Sequence, residues 1–410
     1  MKTLRDGEFR DRRVLLRVDY NVPIRDGGVA DSRKIASTLP TIEYILSQRP
    51  KNIVIMSHLG RPKGKHVGEM SLRPVAGVLG SLLSKDVLFI EDCVGDDVCG
   101  KVQGCTSGEV VLLENLRFHK EETADIEKAG DGERESVFEF RRRLTSYGDV
   151  FVSDAFGCLH RAHSSVCGID LPERYCGLLV ENELRKLSIV TSSAEKIDLV
   201  IVGGAKVRDK IQLIRKLCEK TKKIILCGGM SFTFLSVLYG TKIGNSLFDA
   251  EGAKSVPEVM SVAKEHSVEI FFPSDFVVSE TATDEAVTKT VSVSEGVPDG
   301  WGGFDCGPLS RKRWREIILD SRVILWNGPA GMFEMKPFED GTRAVLDALV
   351  DATKQKGATT IIGGGETAMC AMKWGAGEKL THVSTGGGAV LELLEGKRLP
   401  GLVFLDKKEV

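Results

Sequence analysis

The sequence has no C-x-x-C pair. Its ten cysteines are scattered, and several, such as Cys227 in IILCGG, fall in apolar strand-like runs. A chain of this size with that pattern is expected to carry reduced, packed thiols rather than a disulfide framework. No apolar run approaches the length that crosses a bilayer, so no membrane partner is expected. The opening MKTLRDGEFRDRR has no apolar core of a secretory signal. The closing DKKEV matches no lipidation or retention motif, and a cytoplasmic protein is the expectation. An excess of either charge is also missing: the formal net charge is -2. This argues against a globally basic nucleic-acid binder and leaves room for a local basic cleft. Two nucleotide signatures are absent as well. No segment has the G-x-x-x-x-G-K-[ST] spacing of a P-loop, and RVDYNVP offers no G-x-G-x-x-G fingerprint for a nicotinamide-dependent dehydrogenase.

What is present is ordinary in composition, with 42% hydrophobic and 28% charged residues over 410 positions. That length exceeds what one core supports, so two domains are the default. Short β-branched runs alternate with amphipathic stretches, the pattern of a doubly wound α/β fold with parallel sheets. Candidate strands in the first half are RVLLRV, NIVIMS, DVLFI, VVLLE and DVFVS. Those in the second half include DLVIVG, KIILCG, EIFFPS, VILWN and TTIIGG. PTIEYILSQ, LRPVAGVLGSLLS and VLDALVDATKQ fit crossover helices by their apolar spacing. The charged KEETADIEKAGDGERE breaks the rhythm and reads as a solvated loop or frayed helix without assigned function. GLLVENELRKLSIV reads as a connecting helix, which places the boundary near Gly177.

The two halves differ in the residues that their strands lead into. First-half strands deliver cations and histidines: Arg17, with Asp19 and Asn21 beyond it, then His58 with Arg61 and Lys63, Arg117, and Arg161 between His160 and His163. Guanidinium forks bind phosphate and carboxylate bidentately, so the expected ligand is small and multiply anionic. A metal role for His160 and His163 lacks a third ligand of suitable spacing. Second-half strands deliver glycine clusters: GGAK, CGGM, NGPAG, GGGET and TGGG. Glycine lets backbone amides approach an anion closely, and helix starts point N–H groups at it. Together with Lys206 and Lys210 these clusters imply a polyphosphate site. Glu366, directly after a glycine triplet, has two readings: a Mg²⁺ partner, or a first-turn acid favoured by the helix dipole. A nucleotide on one side and a small anion on the other imply phosphoryl transfer, which needs positioning, charge neutralisation and exclusion of water.

RVDYNVP, SHLGRPKG, LLENLRF, SDAFGCLHRAHSS, GGAKVRDKIQLI, WNGPAGMFE, IIGGGETA and STGGGAVLELLEG occur in an order that resembles the phosphoglycerate kinase family over essentially the whole chain. The resemblance implies two Rossmann-like domains joined by a helix, with a cleft and hinge between them. It places a 3-phosphoglycerate domain at 1–177, a nucleotide domain at 178–390, and a tail at 391–410 that returns to the first domain. The implied activity is reversible, Mg²⁺-dependent phosphoryl transfer between 1,3-bisphosphoglycerate and ADP, giving 3-phosphoglycerate and ATP, by a monomer in glycolysis. Carried over by position, Asp19, Asn21, Lys34, His58, Arg61, Arg117 and Arg161 bind the glycerate substrate. Gly204, Lys206, Lys210, Gly228, Asn327, Glu334, Gly364, Gly365, Glu366 and Thr367 bind nucleotide, with Glu366 on the metal. Lys34, Lys206 and the amides of Gly386, Gly387 and Gly388 serve the migrating group.

Four positions depart from the family pattern. Lys34 stands where a catalytic arginine is expected, with Arg33 just before it as a substitute after a local shift. Lysine supplies charge but not the fork. Glu366 replaces an aspartate, and Mg²⁺ held partly through water absorbs the extra methylene. Cys227 replaces a glycine near the base pocket. Arg208 replaces a small residue and either contacts phosphate or points to solvent. Lys34 and Glu366 also leave open an alternative: an impaired relative that binds both ligands as a scaffold.

Overall fold

The computed structural model describes residues 1–191, 196–384 and 386–406. The chain forms two α/β units. One comprises residues 1–185 with the described part of 398–410, the other residues 186–397.

In unit 1, six strands form one parallel sheet. They are β1 (Arg13–Arg17), β2 (Asn52–Met56), β3 (Val87–Ile90), β4 (Glu109–Leu113), β5 (Val150–Ser153) and β6 (Arg174–Cys176), in the order β3-β4-β2-β1-β5-β6. β2 and β5 are buried at every position, as expected for strands covered by helices on both faces. Their apolar side chains, with Val14, Leu16, Val110 and Leu112, form the core of this unit. Helices Leu39–Ser47 and Arg73–Leu83 both start with proline in the first turn, where no N–H is missed.

The charged stretch after Arg117 divides. A short 3₁₀ turn spans Lys120–Glu122, and helix Asp131–Thr145 begins only at Asp131. Helix Leu178–Thr191 carries the chain into unit 2. Its start is capped from a distance, because Asp154 Oδ1 accepts from the amides of Leu179 (2.9 Å) and Val180 (3.2 Å).

Unit 2 holds a second parallel sheet. It consists of β7 (Ile197–Val202), β8 (Thr221–Leu226), β9 (Glu269–Phe271), β13 (Val323–Asn327), β14 (Thr359–Ile362) and β15 (His382–Val383), in the order β9-β8-β7-β13-β14-β15. The order reverses between β7 and β13, a crevice where open α/β sheets bind ligands. Its core joins Leu199, Ile201 and Ile225 to Trp314 and Trp326. Three antiparallel strands that the sequence pattern does not announce are inserted before β13: β10 (Asp275–Ser279), β11 (Lys289–Ser292) and β12 (Gly302–Cys306), with β10 central.

The return to unit 1 starts at Arg398. Residues 391–397, expected in the tail, group with unit 2, where Val390 and Leu394 are buried. Helix Pro400–Asp406 then packs within unit 1. The Gly401 amide donates to Leu159 O (2.9 Å), and Phe404 meets Phe151 edge-on with ring centroids 6.0 Å apart. The rest of the expected tail, 407–410, lies outside the described residues. None of the ten cysteines is bonded to another.

Candidate active site

In unit 1 the carboxyl ends of β1, β2, β4 and β5 bring the cationic motifs together. Arg17, the last residue of β1, is fully buried and already committed. Its Nε donates to Ser165 Oγ (2.7 Å) and an Nη lies 3.2 Å from His58 Nδ1. The Ser165 hydroxyl in turn donates to Glu122 Oε1 (2.7 Å), whose carboxylate also accepts the Ser165 amide (2.9 Å). Arg17 therefore braces the side chains around it rather than offering a free guanidinium. Glu122 belongs to the stretch that the sequence pattern leaves without a function. Its partners Arg17 and Ser165 are distant in sequence, so no local signal marks it.

Beside this network, Lys34 Nζ donates to Asp19 Oδ2 (2.8 Å), and Asp19 Oδ1 caps the Asn21 amide (3.1 Å). Asn21 Oδ1 accepts from Gly60 N (2.9 Å), and Arg117 Nη1 donates to Gly60 O (2.7 Å). These bonds link the motifs after β1, β2 and β4. Arg61 is exposed and Arg161 half-buried, with Arg161 Nε on His160 Nε2 at 3.1 Å. Arg33 faces elsewhere: its guanidinium grips Asp31 through Nε at 2.9 Å. Lys34 is thus the side chain of the pair that joins this group.

The charges are unbalanced towards the positive. Burial opposes ionisation of Asp19, but the Lys34 ammonium overrides it and holds the carboxyl at about 2. Burial, then the Arg17 charge, pushes His58 well below the usual histidine range. Burial followed by Arg117, Arg17 and Arg161 drives His163 down to about 3. Burial also lowers Arg117, whose Nε is enclosed without a hydrogen-bond partner. The buried, incompletely matched Arg117 guanidinium beside neutral imidazoles is prepared for an arriving anion.

In unit 2 a cavity of about 650 Å³ opens at the β7/β13 reversal, lined by Gly204, Gly228, Phe276, Phe304, Glu334 and Glu366 among others. Its glycines let the backbone segments approach closely: a Cβ on Gly228 would stand 2.7 Å from Gly204 N. Gly364, with φ +100°, caps helix Gly365–Lys373 and lets the β14 loop turn its amides outward. Lys206 is exposed, whereas Lys210 is half-buried and its ammonium donates to Asn327 Oδ1. Burial pushes Lys210 below the usual lysine range, with Glu366 the chief opposing charge.

Asn327 and Thr367 are buried and already occupied. Asn327 Nδ2 donates to Gly363 O (2.6 Å), and Thr367 Oγ1 accepts from Gly328 N (2.7 Å). Both hold the glycine loops in place. Glu334 and Glu366 are exposed carboxylates on the cavity wall. Gly386 N donates to Ser384 Oγ (3.2 Å), Gly387 has φ +51°, and Gly388 starts a helix ending at Leu394.

The apolar part of the cavity comes from Phe276, Phe304, Leu247 and Met332. The sequence pattern does not single these out, because β10 and β12 supply two of them. Cys227 is wholly buried, with its thiol towards Val202 O (3.5 Å), and it is not on the cavity wall. Arg208 leans on Asp249, with Nε 3.7 Å from Oδ1.

The profile of the family described as phosphoglycerate kinase matches residues 4–397. The chain belongs to the phosphoglycerate kinase family. It is 51% identical to the phosphoglycerate kinase of Funneliformis mosseae, over 99% of this chain and 98% of that protein. It is 49% identical to that of Schizosaccharomyces pombe, over 98% of both. The solved phosphoglycerate kinase of Coxiella burnetii superposes with TM-score 0.84 at 33% identity, covering 98% of each chain. That of Pyrococcus horikoshii gives 0.82 at 30% identity, covering 99% of this chain and 98% of the other. Among these phosphoglycerate kinases the similarity runs through both units, so the cationic group and the glycine-lined cavity both fall inside it.

Proposed function

We propose that this chain is an active phosphoglycerate kinase of glycolysis, moving a phosphoryl group reversibly between 1,3-bisphosphoglycerate and ADP. The observation that carries this reading is the division of chemistry. Guanidinium and imidazole groups converge at the strand ends of unit 1, and a glycine-lined cavity opens at the sheet reversal of unit 2, with Lys206 and Lys210 following its Gly204 in the chain. In this assignment Asp19, Asn21, His58, Arg61, Arg117 and Arg161 hold the glycerate substrate. Gly204, Gly228, Glu334, Gly364 and Gly365 surround the nucleotide, while Asn327 and Thr367 fix the loops and the Lys210 ammonium. The apolar slot at Phe276 and Phe304 takes the base.

In the ATP-forming direction a β-phosphate oxygen of ADP attacks the phosphorus of the acyl phosphate. The phosphorus–oxygen bond to the glycerate carboxyl breaks, and its electron pair stays on the departing carboxylate. Lys34 and Lys206, with the amides of Gly386, Gly387 and Gly388, neutralise charge on the phosphoryl group in transit. Water must be kept out of this transfer, so the reacting groups need shielding from solvent.

The residues present fit a Mg²⁺ ion. Glu366 offers a hard oxygen donor, exposed on the cavity wall, and Mg²⁺ typically takes one or two carboxylates plus substrate phosphates. Bound there, the ion would offset the charge of the nucleotide phosphates. A cytoplasmic monomer acting on small molecules completes the reading. Among the described residues no helix is long and apolar enough to cross a membrane.

The test is turnover of the purified chain with ATP, Mg²⁺ and 3-phosphoglycerate, monitored as ADP release. Tight binding of both ligands without turnover would replace the kinase with the scaffold alternative.

A further inference from the structure

A second set of ligating atoms converges in unit 1, apart from the groups assigned to substrate. The chain leaves β3 at Ile90 and turns through Asp92 and Cys93, and the 3₁₀ turn after β4 delivers His119. A thiol sulfur, an imidazole nitrogen and a carboxylate oxygen from these residues lie within 4.8 Å of one another. His119 Nε2 is 2.7 Å from Asp92 Oδ1, and the same oxygen accepts the Cys93 amide at 2.6 Å. Thiolate, imidazole and carboxylate together suit Zn²⁺, whereas Mg²⁺ and Ca²⁺ take oxygen alone.

One further observation favours a cation here. The hydroxyl of Tyr147, a residue only 1% exposed, has no hydrogen-bond partner. After burial, Cys93 is the group that acts most strongly on that phenol. A thiol is a weak acceptor for a phenolic O–H, and a metal-bound thiolate is a good one. The other grouping of this kind, Asp19, His58 and Cys158, is unsuitable. It lies against Arg17 and Lys34, with Cys158 Sγ 3.8 Å from the Arg17 guanidinium, and those charges repel a cation.

We propose that Asp92, Cys93 and His119 form a Zn²⁺ site that ties the turn after β3 to the turn after β4, with water as fourth ligand. Ligand bonds of about 2.0–2.3 Å draw the three donors roughly 1 Å closer together than their present outer limit. The half-exposed Asp92 and the partly exposed His119 have room to make that move. Binding exchanges the Cys93 S–H bond for S–Zn and releases the proton to solvent.

The test titrates the full metal-free chain with Co²⁺, a spectroscopic stand-in, and then displaces it with Zn²⁺. The expected result is one equivalent of Co²⁺ with a thiolate-to-cobalt charge-transfer band that Zn²⁺ abolishes. Cys93→Ser removes the band, His119→Gln weakens binding about tenfold or more, and Cys158→Ser leaves both unchanged. No band with one equivalent bound, or a band that survives Cys93→Ser, overturns the proposal. Should Cys93→Ser fail to fold by circular dichroism, His119→Gln decides: unchanged Co²⁺ affinity overturns the site equally.

Discussion

An ammonium group can neutralise Asp19 and still present protons to a phosphoryl group, but it cannot make the two parallel bonds of a guanidinium. With Lys34 Nζ held 2.8 Å from Asp19, the charge is at least fixed in position. Lys34→Ala is expected to lower kcat by about 10²-fold or more, with KM for ATP unchanged. Lys34→Arg should hold the rate near the original, and a clear gain in steady-state turnover would mark lysine as a handicap. Arg61→Ala should raise KM for 3-phosphoglycerate far more than KM for ATP; equal changes would undo the division of roles between the units.

His163 makes a pH prediction. Around it stand Glu122, Arg17, Arg117, Arg161 and His160. Its ordinary value is 6.5 and its folded value about 3. Between these the unfolded chain binds a proton that the folded chain refuses, so stability is complete above the upper limit and falls as pH falls towards the lower one. His163→Gln should flatten that acid limb in urea unfolding midpoints measured across the window. The Arg and His clusters were legible because each comes directly after a recognisable strand. Glu122 was not, since a carboxylate in a charged run looks solvated until its partners 43 and more residues away are in place.

At the level of elements, the parallel strands were readable because burial on both faces writes a continuous apolar run, as in NIVIM and VFVS. The antiparallel insertion was not. β12 reads GGFDC and β11 reads KTVS. Glycine and aspartate are disfavoured in strands, and what holds these residues is pairing with β10, a long-range register that local pattern does not encode. Phe276 and Phe304 reach the cavity by that route, which is why its apolar half stayed hidden while its glycines did not. The connecting helix gives a prediction at this scale. Asp154→Ala would leave the Leu179 and Val180 amides without their acceptor, at about 1–3 kcal/mol, read as a lower denaturation midpoint. Gly177 is constrained by the same contact, because a Cβ there would stand 2.1 Å from Asp154 Oδ1.

At the scale of the whole molecule, each unit has its own sheet and core, so ligands should protect them separately. Hydrogen exchange is expected to slow around residues 57–61 and 115–118 with 3-phosphoglycerate alone. With ADP alone it should slow around 203–210 and 363–367. Protection of one unit by both ligands would refute the assignment of two half-sites. The family's two-domain plan was legible from eight ordered motifs, but the place where the chain rejoins unit 1 was not, since LELLEG reads equally well as either unit's helix.

That rejoining has a consequence for biosynthesis. Unit 2 is one uninterrupted stretch, whereas unit 1 is completed by a helix that seats Phe404 against Phe151. A ribosome therefore finishes the second sheet before it has made the last piece of the first. The earlier-born half must wait, with that patch of its surface bare, until the helix at Pro400–Asp406 has been made.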